Sequence, residues 1–372
     1  MGFIDCDAHV WESDQTWDHL RPGEEQFRPQ VAEVPSAVPG LPFRFWLVQD
    51  QRVIRNDAES PHLSEEQRAL FPHSAKGLAD VPVRLREMDR LGVDVQVLFP
   101  SLWLNVGVRD PVIEAALKRS YNRWIAAATA PANGRLRWMV NVPAGDTRAA
   151  CEELEFGSQN GAAGIFLLGE LNGRHVGHPS LFPLYEKAEQ LGLVVGFHVG
   201  VGNTDVLHRY PGVQKAWEII APCTYAFYSL LINDVPARFP DLKWGFFEAG
   251  AGWVPWMLQE VARINQSGLR SDRDWRDEVD VLKRNNMYVA CQADDDLPYL
   301  ITRIGSENLV CGSDWGHIDI GSDPAAHRLL AARAELDHAV RRRIVDTNGR
   351  RLFGIDQEFM PSGATTFDIE RR

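Results

Sequence analysis

An α/β fold closed as a (β/α)8 TIM barrel is what this chain predicts, and three observations predict it. Eight short β-rich runs recur along 372 residues, helical stretches lie between them, and no GxGxxG or GxxxxGK[ST] phosphate loop supports an open doubly wound sheet instead. The runs fall at 3–7 (FIDCD), 94–99 (DVQVLF), 136–142 (LRWMVNV), 162–167 (AAGIFL), 193–198 (LVVGFH), 243–248 (KWGFFE), 286–291 (NMYVAC) and 308–312 (NLVCG). Helices are expected at 80–91, 111–128, 147–159, 180–191, 213–238, 252–267, 294–305 and 324–336. Glycine and proline mark the joints, as in "LGV", "QNGAAG", "QLGLVV" and "RFPDLKW". The whole of 1–372 is expected to be a single domain, with 355–372 as a C-terminal tail.

The regular spacing breaks once, between the first two strands. Residues 10–79 carry prolines at 22, 29, 35, 39, 42, 61 and 72 and aromatics at 43, 45, 46 and 71. A connection this long is functional or disordered as a rule, and this one is too aromatic for simple disorder. It is expected to form a lid over the end of the first strand.

Composition narrows the partners. Lys and Arg total 39 against 51 Asp and Glu, a formal charge of -12, and no basic run with interleaved aromatics is present. Nucleic acid and anionic membranes are therefore not expected as partners. The start MGFIDCD lacks a basic segment followed by an apolar one, no apolar run approaches a membrane span, and Cys6 stands where a myristoylation signal has Ser or Thr. Five scattered cysteines, without a CxxC pair, argue against a disulfide framework or a cysteine zinc site. A reduced, cytoplasmic protein is expected.

The polar residues fall where a barrel puts its chemistry, at the carboxyl ends of the strands. The opening "FIDCDAHVWE" sets Asp5, Asp7 and His9 on alternating positions, a costly arrangement in a core unless a metal ion or a hydrogen-bonded cluster pairs them. His198 ends strand 5 in "VVGFHVG", Glu248 ends strand 6 in "KWGFFEAGAGW", and Asp314 follows strand 8 in "LVCGSDWGH". Any one of these has a structural alternative; Asp314, for example, could cap a following helix. Four independent strands delivering such groups to one end favour a joint metal site of nitrogen and carboxylate ligands, suited to Zn, Mn or Fe.

The sequence resembles the amidohydrolase-related (amidohydrolase 2) family typified by aminocarboxymuconate semialdehyde decarboxylase. The likeness runs through "DCDAHVWE", "SYNRWIA", "HPSLFPLYEKAEQLGLVVGFHVG", "RFPDLKWGFFEAGAGWVPW", "CGSDWGHID" and "TNGRRLFG", nearly the whole chain. It implies a metal-dependent barrel holding one divalent ion, with Asp7, His9, His198 and Asp314 as ligands, and a homodimer. The family's characterised decarboxylases and hydrolases usually carry a catalytic histidine at the end of strand 6. This chain has Glu248 there, so the acid/base assignment does not carry over.

The resemblance implies a non-oxidative decarboxylase of a small aromatic or unsaturated carboxylic acid, in which Asp314 is both ligand and proton carrier. Glu248 either takes the missing histidine's role, its pKa raised by Phe246, Phe247 and Trp253, or orients a ligand. His317 is a further acid/base or substrate contact. The alternative is hydrolysis of a C-N or C-C bond by metal-bound hydroxide with Glu248 as base; a barrel that binds without turnover is a third reading. Trp11, Trp103, Trp253 and Trp315 follow strand ends, and the lid adds Phe45 and Trp46, so a flat conjugated substrate would stack well. Arg52, Arg55, Arg174 and Arg209 are candidates to clamp its carboxylate, and Glu12 to contact it.

Overall fold

The structure is a computed structural model that describes residues 2–55, 61, 64–69, 71–171, 173–201, 219–267, 280–318 and 321–356. Eight strands form one sheet in chain order: β1 Ile4–Val10, β2 Val95–Pro100, β3 Leu136–Asn141, β4 Ala162–Leu167, β5 Val194–His198, β6 Trp244–Phe247, β7 Met287–Cys291 and β8 Leu309–Cys311. Every neighbouring pair is parallel. The expected barrel is therefore what the chain adopts, each strand within a few residues of its expected limits. Nearly continuous burial along β1, β2, β4 and β7 explains why these runs read as apolar throughout.

The barrel closes at a seam between its two ends. Asp314 N–H donates to Asp7 O at 2.8 Å, Ser313 N–H to the same oxygen at 3.2 Å, and His9 N–H to Trp315 O at 2.8 Å. Gly312 makes this approach possible, because a Cβ there would lie 2.4 Å from the Cβ of Asp7. Closure of the fold thus sets two of the candidate site residues side by side.

Outside the strands run α1 Val81–Leu91, α2 Pro111–Thr129, α3 Thr147–Gln159, α4 Phe182–Leu191, α5 Ala221–Ile232, α6 Val254–Gln266 and α7 Leu297–Ile304. Aspartates open four of them: the side chains of Asp80, Asp110, Asp146 and Asp296 accept from the first-turn amides of α1, α2, α3 and α7. The helix expected over 213–238 is shorter. Its described part is α5, followed by a break at Asp234, φ 57°, before the turn Val235–Arg238, while residues 213–218 lie outside the described residues. The segment "TNGRRLFG", which carried no helix assignment, contains the helix Asn348–Phe353. Gly349 allows it to lie against β1, since a Cβ there would be 2.8 Å from Cys6 Sγ.

The long connection after β1 is not a plain loop. It contains an antiparallel sheet of Gln30–Val34, Phe43–Val48 and Gln51–Ile54, with Trp46, Val48 and Val53 buried and Leu47 and Ile54 exposed. The carboxamide of Gln51 pairs with both the carbonyl and the amide of Gly107, fastening this sheet to the loop after β2. Residues 56–60, 62, 63 and 70 of the connection, and 357–372 of the tail, lie outside the described residues. No helix among the described residues is long and apolar enough to cross a membrane.

Candidate active site

Six of the residues singled out in the sequence meet at the carboxyl ends of the strands. His198, the last residue of β5, has its Nε2 3.2 Å from Asp7 Oδ1 on β1 and 3.6 Å from Glu248 Oε2 after β6. His9 Nε2 lies 3.5 Å from Asp7 Oδ1 and 3.3 Å from Asp314 Oδ1. His317 Nδ1 sits 2.8 Å from Asp314 Oδ1, and its ring stacks on that of His9 with centroids 3.7 Å apart. Donor atoms of Asp7, His9 and His198 fall within 4.8 Å of one another, as do those of His9, Glu248, Asp314 and His317.

The backbone is bent to build this cluster. Glu248 and Asp314 have φ of 61° and 50°, in the left-handed region that non-glycine residues enter at a cost of about 1–3 kcal/mol. Each follows immediately or closely on its strand, so the reversal turns the carboxylate back over the barrel mouth. The helix-cap alternative for Asp314 is not what the chain does, because the next helix begins only at Ala326, capped by Ala325.

The hydrogen bonding of these donors fits a divalent cation. Nδ1 of His198 is 2.9 Å from Val199 O, and a carbonyl only accepts, so Nδ1 carries the hydrogen. A neutral His198 then turns its Nε2 lone pair toward Asp7 and Glu248, which repels unless a proton or a cation intervenes. Both ring nitrogens of His9 are fully buried without completing a hydrogen bond. Three carboxylates of Asp7, Glu248 and Asp314 around these rings carry negative charge that one such ion offsets.

The electrostatics follow from burial and proximity. Burial alone would raise the Asp7 carboxyl, but the charge and hydrogen bond of His198 outweigh it and hold Asp7 low. Burial would lower His198, yet Asp7 and then Glu248 raise it to about 9. His9 is held well below its usual value by burial, reinforced by His317 and His198. Burial pushes Glu12 up to about 7, against the amide of Leu102, which donates to its Oε2 at 2.9 Å.

The other candidates are distributed around this centre. Trp11, Glu12, Trp46 and Arg55 line a small cavity of about 110 Å³ that also reaches Ser101. Arg55 ion-pairs with Asp14 at 3.1 Å and stacks over Trp46, so its charge is already engaged. Trp103 and Arg174 line a larger cavity of about 670 Å³ beside β3 and β4. Phe45 and Arg52 stack on each other and line neither space. Trp253 and Trp315 also line neither: Trp253 donates its indole N–H to Gly250 O at 2.7 Å, and Trp315 is buried beneath the guanidinium of Arg84. Arg209 lies outside the described residues.

Two participants escaped the sequence. Ser101 Oγ is 2.8 Å from His317 Nε2, which extends the row Asp314–His317 by one hydroxyl. Its signal was its position, directly after β2 at the same end as the histidines. Asn141, the last residue of β3, offers a buried carboxamide at that end too.

Comparisons with known proteins agree with this architecture. The model of the amidohydrolase family matches residues 4–355. A 2-amino-3-carboxymuconate-6-semialdehyde decarboxylase of Dictyostelium discoideum is 24% identical over 288 residues, 74% of this chain and 77% of that protein. Among solved structures, an amidohydrolase from Mycobacterium avium subsp. paratuberculosis K-10 is similar with a TM-score of 0.76 at 20% identity, covering 96% of this chain and 98% of that one. The 5-carboxyvanillate decarboxylase of Sphingomonas paucimobilis has a TM-score of 0.68 at 19% identity, covering 95% and 99%. With a family match that spans nearly its whole length and a barrel whose first and last strands bring their acids and histidines to one mouth, this chain belongs to the amidohydrolase family.

Proposed function

We propose that this protein is a metal-dependent, non-oxidative decarboxylase of a small aromatic or unsaturated carboxylic acid. The observation that carries the reading is the convergence of Asp7 and His9 from β1, His198 from the end of β5 and Asp314 from the loop after β8, with His9 shared between a buried donor group with Asp7 and His198 and a second one with Asp314. These four residues would hold one divalent ion, Zn or Mn in first place and Fe in second. Bound there, the ion would supply a Lewis acid that stabilises negative charge on the substrate.

The chain's own groups account for the rest. Phe99, tilted against His198, and Phe166, edge-on to it, at centroid distances of 4.9 and 6.3 Å, would give a flat substrate ring apolar walls. Decarboxylation breaks the bond between the ring or alkene carbon and the carboxylate, leaves the electron pair on that carbon, and requires one proton there as carbon dioxide departs. Asp314, with His317 at 2.8 Å and Ser101 behind it, is the donor best supplied with a hydrogen-bonded path. Glu248, 3.6 Å from His198, would orient that ring or share the proton transfer. The decarboxylases among its relatives support the reaction class.

The second reading, hydrolysis of a C-N or C-C bond, is favoured by Glu248 itself, a carboxylate suited to accept a proton from attacking water. Protein loaded with Mn or Zn and offered a panel of hydroxylated benzoates and unsaturated acids separates the two. Release of carbon dioxide with no water-derived oxygen in the organic product is expected; ¹⁸O from water in that product would overturn the decarboxylase. A cytoplasmic location and a homodimer are parts of the same proposal, the first from the reduced cysteines and the second from the family likeness, and sedimentation tests the dimer.

A further inference from the structure

Beside the histidines lies a space whose polar lining the reaction just proposed does not use. The cavity of about 670 Å³ is within the range of small-molecule sites and is walled by Trp103, Asn141 and Phe166, among others. Phe166 joins it to the candidate centre, because the same ring stands edge-on to His198, 6.3 Å between centroids.

Two side chains in this wall are buried with their hydrogen-bonding atoms unused. Asn141 is 0% exposed, and both its Oδ1 and Nδ2 lack a partner. Trp103 is 2% exposed, and its indole Nε1 lacks one as well. Buried polar atoms left this way cost about 1–3 kcal/mol each, so their retention calls for an occupant.

The backbone of Asn141 is by contrast tightly held. Asn122 Nδ2 donates to Asn141 O at 3.0 Å, and Asn141 N–H donates to Asn122 Oδ1 at 2.9 Å. Asn122 in turn donates to Glu153, which Arg123 grips with both amino groups. A rigid mount with an uncommitted carboxamide is the construction of a recognition residue.

We infer that Asn141 and Trp103 form a specificity subsite that reads an oxygen substituent of the substrate, a hydroxyl or second carboxylate remote from the reacting carboxyl. Two donors, Asn141 Nδ2 and Trp103 Nε1, suit the oxygen's lone pairs, and Asn141 Oδ1 accepts the hydrogen when that oxygen is a hydroxyl. This inference rests on the proposed small-acid reading and adds to it which feature of the acid is selected.

Binding of benzoate and of its 3-hydroxy, 4-hydroxy and 2,6-dihydroxy derivatives to metal-loaded protein, by calorimetry, tests it. At least one hydroxylated acid is expected to bind about tenfold tighter than benzoate. Asn141→Ala and, independently, Trp103→Phe are expected to shrink that preference to about twofold while the affinity for benzoate, the metal content and the melting temperature stay near wild type. An unchanged preference in both variants, or no preference in the wild type, overturns the subsite. A preference that Asn141→Ala abolishes, in protein that releases no carbon dioxide from any acid, would sink the decarboxylase and leave the subsite standing.

Discussion

Two buried aspartates on β1, only two residues apart, live in different chemical surroundings. Asp5 is enclosed by neutral donors: Gln96 Nε2 at 2.9 Å, Ser313 N–H at 2.9 Å and Ser313 Oγ at 2.6 Å, with Arg84 held behind Gln96 at 2.7 Å. Asp7 faces histidines, His198 at 3.2 Å and His9 at 3.5 Å. The register of β1 against β2 shifts between Asp5 and Ala8, and that irregularity separates the two sets of partners. A closed knot of hydrogen bonds ties strands together; a cluster rich in ligand atoms facing one point leaves room for a further positive charge.

The largest expected effect breaks the cluster alone. His198→Ala or Asp314→Ala should remove most bound metal and cut turnover by about 10³-fold or more, since even one lost transition-state contact is worth about 10²–10³. The thermal melt of the metal-free variant should stay within a few degrees of metal-free wild type; plasma emission spectrometry and a carbon dioxide assay check both halves. Treatment of wild type with a chelator should reproduce the loss, and Zn or Mn should restore activity.

Next in size is Glu248→Gln, which sharpens the question of what the carboxylate does. If it moves protons, kcat should fall about 10²-fold with metal content unchanged. A drop in metal content to match the activity would instead make it a group that orients His198.

Asp5→Asn should break only the knot. Burial raises the Asp5 carboxyl to about 6 despite its hydrogen bonds. The folded state therefore holds the proton more tightly than the unfolded chain does, and between about pH 4 and pH 6 the ionisation of Asp5 makes wild type lose stability as pH rises. Asparagine cannot ionise, so the variant should gain on wild type over that window by about 2 kcal/mol. Denaturant unfolding at pH 4 and pH 6 measures the difference, and equal curves at both pH values would refute the assignment. Activity per folded molecule should change less than about threefold.

The smallest effects belong to residues that sequence reasoning grouped with the site but whose polar groups are engaged away from the histidines. Trp253→Phe loses one hydrogen bond to Gly250 O, worth about 1 kcal/mol, and should leave KM within about twofold. Arg55→Ala gives up an ion pair whose Asp14 partner is exposed and should cost about 1 kcal/mol or less in an unfolding titration.

The strands were readable because parallel strands buried on both faces write themselves as apolar runs, and the polar residue ending such a run stands out. His198, Glu248 and Asp314 were found by that contrast. Asn141 ends its strand in the same way, in "WMVNV", yet an amide is less conspicuous than a histidine, and its backbone clamp by Asn122 spans a helix and a strand that local pattern cannot connect. The sheet within 10–79 was hidden by prolines and short strands. The left-handed turns at Glu248 and Asp314 were hidden because residues other than glycine give no local sign of such a turn. The aromatic residues misled in the other direction, since Trp253 and Trp315 serve interior contacts that a position after a strand end does not distinguish from substrate contacts.

The seam at Gly312 has a consequence for synthesis on the ribosome. Asp7 is translated long before Asp314, and each is brought to the other only when Ser313 and Asp314 dock on the carbonyl of Asp7. A nascent chain stalled anywhere before β8 carries three of the four expected ligands but no closed ring to hold them. The expected capacity to capture an ion is thereby tied to synthesis of β8 and the loop after it, and a product truncated before them is left without the closed seam that sets Asp7 beside Asp314.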